Sequence, residues 1–156
     1  MNRPRLPTLQ LTRRLTVAGI DDATRALFPT LRTGDNLARL VFLGAGPFSV
    51  SDAGAQLVAA LRAARDSDDT ETDDTELRHI VGELSTLSRA FSTAWAHGTE
   101  TLQTAGVVHV DHPVAGATTL GYRITSVKGA PDLVSVVWHG ADPAARTLLR
   151  RLSSEI

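Results

Sequence analysis

The chain has 156 residues, of which 42% are hydrophobic and 21% charged, with a formal net charge of -1 and no cysteine. This is the length and composition of one soluble domain, or one domain plus an arm, so a disordered, collagen-like or disulfide-stapled chain is excluded. Without cysteine there are no thiolate nucleophiles, zinc fingers or iron–sulfur clusters, and the near-neutral balance gives no global pull toward nucleic acid or an anionic membrane.

The balance is segregated. Residues 66–76 read DSDDTETDDTE and hold seven acids and no base, so the remaining ten acids face 16 bases and the body carries +6. No apolar run approaches the ~18 residues of a membrane span. The first residues carry basic side chains but no apolar stretch, so they do not form a secretory signal, and a cytoplasmic location is expected.

Residues 1–8 contain Pro4 and Pro7, which withhold amide donors, and are expected to form an extended arm. Leu9, Leu11, Leu15 and Val17 alternate with polar residues, as in a strand pair or one bent strand. Asp21 and Asp22 are placed to cap a short helix carrying Ala23, Ala26 and Leu27, which Pro29 stops. Asp35 is the expected cap of a second helix with Leu37, Leu40 and Val41 on its apolar stripe, ended by Gly44, Gly46 and Pro47. Ser51 or Asp52 is expected to open a third helix, with Leu57, Val58 and Leu61, through about Arg65. The acidic run then reads as a solvated linker. Its last acids, Asp73, Asp74 and Glu76, suit a helix N-terminus.

Leu77, Ile80, Val81 and Leu84 make the next amphipathic stripe. Ser85 or Ser88 is expected to begin another helix, with Leu87, Phe91 and Trp95 at i, i+4 and i+8, closed by His97 and Gly98. The period then changes to alternation. Residues 107–110 read as a strand, 111–116 as a turn, and 118–125 as a strand with Leu120, Tyr122 and Ile124 on one face. After a turn at 128–132, residues 133–138 are apolar on both faces, which suggests a central strand. Asp142 and Pro143 start a closing helix with Leu148, Leu149 and Leu152. Helices in a block beside an antiparallel meander predict an α+β fold.

In this order, the phrases DNLARLVF (35–42), AGAQLVAALRA (53–63), IVGELS (80–85), FSTAWAHG (91–98), VDHPVAGATTLGY (110–122) and DLVSVVWHGADPAARTLLRRL (132–152) resemble the MmyB-like ligand-binding domain. A poorer match continues over residues 9–28. The resemblance implies a PAS-like domain over residues 9–156, in which an antiparallel sheet and a block of helices enclose an apolar pocket. In that family the domain follows a helix-turn-helix module in actinobacterial one-component transcription regulators, and its ligands are apolar or lipid-like.

Three positions depart from the family pattern. Asp35 stands where an arginine is usual, Ala53 follows Asp52 where a tryptophan is common, and His97-Gly98-Thr99 replaces His-Asp-Val. Eight residues ahead of Leu9 are too few for a helix-turn-helix module. The chain is therefore expected to be an excised domain or a free-standing member, without direct nucleic-acid contact.

The candidate ligand-binding residues are Asn36, Arg39, Phe42, Trp95, His97, Tyr122 and Trp138. Arg39 is suited to hold a carboxylate through two parallel hydrogen bonds, or else pairs with an internal acid or reaches solvent. Asn36 either meets a ligand or satisfies helix-start amides. His97 is a possible donor or general base, although a helix C-terminus favours a histidine without any function. Tyr122 needs a hydroxyl partner on a core-facing strand, while Trp95 and Trp138 read as core or pocket wall.

No metal or cofactor is expected. His109, Asp111 and His112 do not share one strand face, and turn formation explains them better. Gly44-Ala45-Gly46 is too short for a dinucleotide loop, and neither a P-loop nor a nucleophile elbow is present. The leading expectation is a domain that senses a small apolar molecule, without membrane contact and compatible with a homodimer. The alternatives are a cofactor-independent cyclase or isomerase of secondary metabolism, with His97 or Asp35 as acid or base, and an interaction module.

Overall fold

The computed structural model describes residues 6–44, 48–66 and 75–154. Residues 1–5 of the expected arm, Gly46, Pro47 and acidic residues 67–74 lie outside them. Alternation of Leu9 and Leu11 with Thr8, Gln10 and Thr12 produces strand β1 (Thr8–Thr12), whose leucines are buried. Leu15, at φ 72°, turns the chain back into β2 (Val17–Ile20), which pairs antiparallel with β1. The β1 strand thus opens at the last residue of the expected arm, and the Trp138 amide donates to the Pro7 carbonyl.

Helix α1 (Asp22–Leu27) is capped by Asp21, whose carboxylate accepts from the Thr24 amide. Helix α2 (Leu37–Phe42) is capped by Asn36, not by Asp35. The Asn36 side chain reaches the Arg39 amide, while Asp35 closes the preceding turn by accepting from the Arg32 amide. The third helix also begins earlier than expected. Ser49 accepts from the Asp52 amide and caps a π-helical turn, Val50–Gly54, which runs on into α3 (Ala55–Arg65).

Helix α4 (Thr75–Leu87) and α5 (Arg89–His97) meet at Ser88, whose hydroxyl accepts from the Phe91 amide. This cap ends α4 at Leu87, which is 64% exposed and does not join the stripe of Phe91 and Trp95. The sheet continues with β3 (Ala105–His112), β4 (Gly116–Val127) and β5 (Ala130–Gly140), joined by shorter turns than the composition predicts. Helix α6 (Pro143–Ser154) closes the chain, with the Ala145 amide donating to Asp142.

The five strands lie in the order β2-β1-β5-β4-β3, all neighbours antiparallel. The apolar run of residues 133–138 therefore occupies the middle of the sheet, as its two apolar faces require. The architecture is α+β with the PAS-like combination of antiparallel sheet and helical block. Register aligns Leu9 with Val136, Val136 with Ile124, and Trp138 with Tyr122, so these side chains share one face of the sheet. That face packs in one core with Phe91, Leu61, Ile80 and Leu84 of the helices.

Candidate functional site

A cavity of about 80 Å³ lies between this sheet face and the helices. Leu9, Leu11, Val108, Ile124 and Val136 form its sheet side, and Leu37, Phe48, Ala53, Leu57 and Ala60 its helical side. Leu102, from the segment between α5 and β3, completes it. Among the described residues the polar side chains in the wall are Gln56, Tyr122 and Trp138, with no carboxylate, ammonium, guanidinium or imidazole. Such a wall suits an uncharged surface, because burying an unpaired charge costs several kcal/mol or more. A water molecule needs about 10–15 Å³ of such space and a cavity of about 150 Å³ admits benzene, so this one is sized for a small organic fragment unless its wall moves.

Trp138 is held by aromatic neighbours. Phe28 meets it edge-on at 5.0 Å, Phe48 stacks on it at 5.6 Å, and Tyr122 meets it edge-on at 5.9 Å. The residue is 3% exposed, and its indole Nε1 is buried without a hydrogen-bond partner among the described residues. Tyr122 is half-buried, and that burial pushes its phenol above the ordinary value. Its ring crosses Gly106 on β3, where an added Cβ would stand 2.6 Å from the phenol oxygen. Gly106 is thus needed for close approach, a role signalled in the sequence only by a glycine inside an alternating strand.

Gln56 spends its amide on the segment that carries Leu102. Its Nε2 donates to the Thr101 carbonyl at 3.1 Å, and its Oε1 accepts from the Gln103 amide at 2.7 Å. The Leu102 side chain is fixed over the cavity between these two bonds. Nothing in the spacing of the α3 apolar stripe singled out Gln56, because its partners lie 45 and 47 residues away.

The structure brings Tyr122 and Trp138 together at the cavity, and the other candidates sit elsewhere. Phe42 is buried edge-on against Phe91 at 5.1 Å. Trp95 stacks on Phe91 at 5.8 Å and carries the Arg62 and Arg65 guanidiniums over its ring. Asn36 is buried, donating to the Arg14 carbonyl at 2.8 Å as well as capping α2. Arg39 leaves α2 toward α4 and binds Glu83 through two bonds, Nε to Oε1 at 3.0 Å and Nη2 to Oε2 at 3.2 Å. His97 is exposed at the end of α5, and Asp35 lies in the turn before α2. Neither is part of the cavity wall.

His109 and His112 serve local structure. Asp52 accepts from the His109 amide at 2.7 Å and from its Nδ1 at 3.0 Å. The amide bond, helped by the imidazole and opposed by partial burial, holds the Asp52 carboxyl below its ordinary value. His112 is buried; its Nδ1 accepts from the Val114 and Ala115 amides, so Nε2 carries the proton and donates to the Ala26 carbonyl. Among the described residues no group of three His, Asp or Glu side chains could hold a metal ion, and no helix is long and apolar enough to cross a membrane.

The family model of the MmyB-like transcription regulator ligand binding domain matches residues 3–152. No curated protein matches the chain.

Proposed function

The chain belongs to the MmyB-like transcription regulator ligand-binding domain family, and from that membership we propose that its cavity takes up a small apolar molecule as the input of a sensory domain. The observation that carries this reading is a cavity walled by aliphatic and aromatic side chains, with three polar groups and no charge among the described residues. Burial of the ligand's apolar surface supplies the affinity, against a wall that includes the Tyr122 and Trp138 rings.

A ligand larger than the present 80 Å³ must displace part of the wall. Leu102 is the natural point of entry, since a side-chain amide holds its segment over the cavity. Occupancy then shifts a conformational or dimerisation equilibrium, to the extent that the two states differ in affinity for the ligand. In the cytoplasm, an attached or partner module would read that shift.

Thermal unfolding with small apolar compounds tests the reading. A ligand at 100 times its Kd adds about 2.7 kcal/mol, which for a domain of this size raises Tm by roughly 5–10 °C. An Ala60→Phe variant, which fills the cavity from α3, should keep its fold and lose that rise. A panel of apolar compounds that leaves Tm unchanged in the parent chain would remove the sensing role.

A further inference from the structure

Gly106 stands opposite Tyr122 in the β3–β4 ladder, and the Tyr122 side chain is part of the cavity wall. Resting on the reading of this cavity as the ligand site, we propose that Gly106 sets the size of ligand that the cavity admits. The bare glycine gives the Tyr122 ring a place to lie over β3, and that keeps the space between the sheet and the helices open.

Backbone conformation does not require glycine here. Gly106 lies inside a strand and is not among the glycines with positive φ, so its backbone would accept alanine. What bars a larger residue is one ring. A Cβ at Gly106 would stand 2.6 Å from the Tyr122 phenol oxygen, 2.8 Å from Cζ and 3.0 Å from Cε1, its three nearest neighbours among the described residues. Unbonded atoms rest at about 3.5–4 Å, so the ring would have to retreat by roughly 1 Å. At Gly98 and Gly140 the same addition meets backbone, the Ala94 carbonyl and the Arg146 amide nitrogen. At Gly106 it meets the far end of a side chain, so the ring yields and the strands stay in place.

The direction of that retreat follows from the sheet. Across β4 from Gly106, the register partner of Tyr122 is Trp138 on β5, whose ring lies 5.9 Å from the Tyr122 ring and also walls the cavity. A ring driven off β3 moves toward Trp138, over the sheet side of the cavity. With only about 80 Å³ present, the void has little room to give up. The phenol oxygen is the atom nearest the Gly106 position, so the polar end of Tyr122 lies at β3 and its ring supplies the wall. Gly106 therefore acts through Tyr122 as a positioning residue, and the ligand it favours is a compact apolar group whose width is read by the ring.

Methylenecyclopentane and methylenecyclohexane, which differ by one methylene, are the probes, titrated against methyl-labelled protein. Gly106→Ala should keep the fold and weaken methylenecyclopentane about tenfold or more, the range for one misfitting methylene in a hydrophobic pocket. It should weaken methylenecyclohexane further still. Tyr122→Leu removes the ring and should shift selectivity the other way, toward methylenecyclohexane. Combined with Gly106→Ala, it should restore binding of methylenecyclopentane. Tyr122→Phe should leave both affinities near those of the parent chain, because the oxygen it removes lies over β3.

A folded Gly106→Ala variant that binds both probes as the parent does would overturn the proposal while leaving the cavity as a ligand site. So would a loss that persists in the folded double variant. Should Gly106→Ala fail to fold, Tyr122→Leu decides alone, and a selectivity between the two probes unchanged from the parent overturns the proposal. Failure of the parent chain to bind either probe would remove the ligand site itself and the proposal with it.

Discussion

Asn36 shows how much one buried polar side chain can carry. Its oxygen caps α2 at the Arg39 amide, and its nitrogen donates to the Arg14 carbonyl in the β1–β2 turn. Asn36→Ala removes the cap and the bond to the Arg14 carbonyl, a loss of about 2 kcal/mol. Urea unfolding should show it as a lower midpoint with unchanged slope. Asp52 makes a pH-dependent contribution of the opposite kind. Its folded pKa is depressed, so the stability it adds is present above the ordinary carboxylate value of about 3.9 and is lost as pH falls through the lower folded value. Asp52→Asn should therefore flatten the acid limb of the stability profile below about pH 4 and leave the pH 6–8 region nearly parallel to the parent. The effect is small, because water screens this surface pair. At this scale the sequence was informative where chemistry is local. Tyr122 and Trp138 stood out as aromatic residues on apolar strands, and the two readings of Asn36 included its cap. Arg39 looked like an anion-binding group because its partner, Glu83, is 44 residues away. The sequence kept that pairing open beside the ligand role and could not name the acid.

At the scale of elements, Ser88 decides where α4 stops and α5 starts. The apolar spacing of Leu87, Phe91 and Trp95 fits one stripe, yet the cap places Leu87 on the other helix and exposes it. Periodicity alone does not register such a break, because a serine cap changes the helix axis without changing the spacing. The two positions should respond very differently. Phe91→Ala removes a fully buried ring packed on Phe42 and Trp95 and should cost about 3–5 kcal/mol. Leu87→Lys should stay within about 0.5 kcal/mol of the parent. Comparable losses at both positions, measured by denaturant unfolding, would contradict the helix boundary at Ser88. The π-helical turn at Val50–Gly54 was invisible for a similar reason. Its start depends on Ser49, and its position is fixed by the long-range bonds from Asp52 to His109.

The order of elements and the α+β class followed from the change of period between residues 98 and 107, and the central place of β5 followed from its two apolar faces. The cavity did not follow from periodicity, and only the family resemblance implied it. It is a small void where the side chains of β1, β3, β4 and β5 fail to fill the space left by α2 and α3, and no local pattern encodes the sum of so many volumes. Within this molecule the sheet supplies one side of the site, and the segment bonded to Gln56 supplies Leu102 on another. The most direct measurement is of intermolecular nuclear Overhauser effects between methylenecyclopentane and the labelled protein. Contacts to the Leu9, Leu37 and Ile124 methyls in the parent chain, and none in Ala60→Phe, are the expected result. Contacts confined to surface methyls such as those of Val114, or contacts unchanged in Ala60→Phe, would contradict ligand binding between the sheet and the helices.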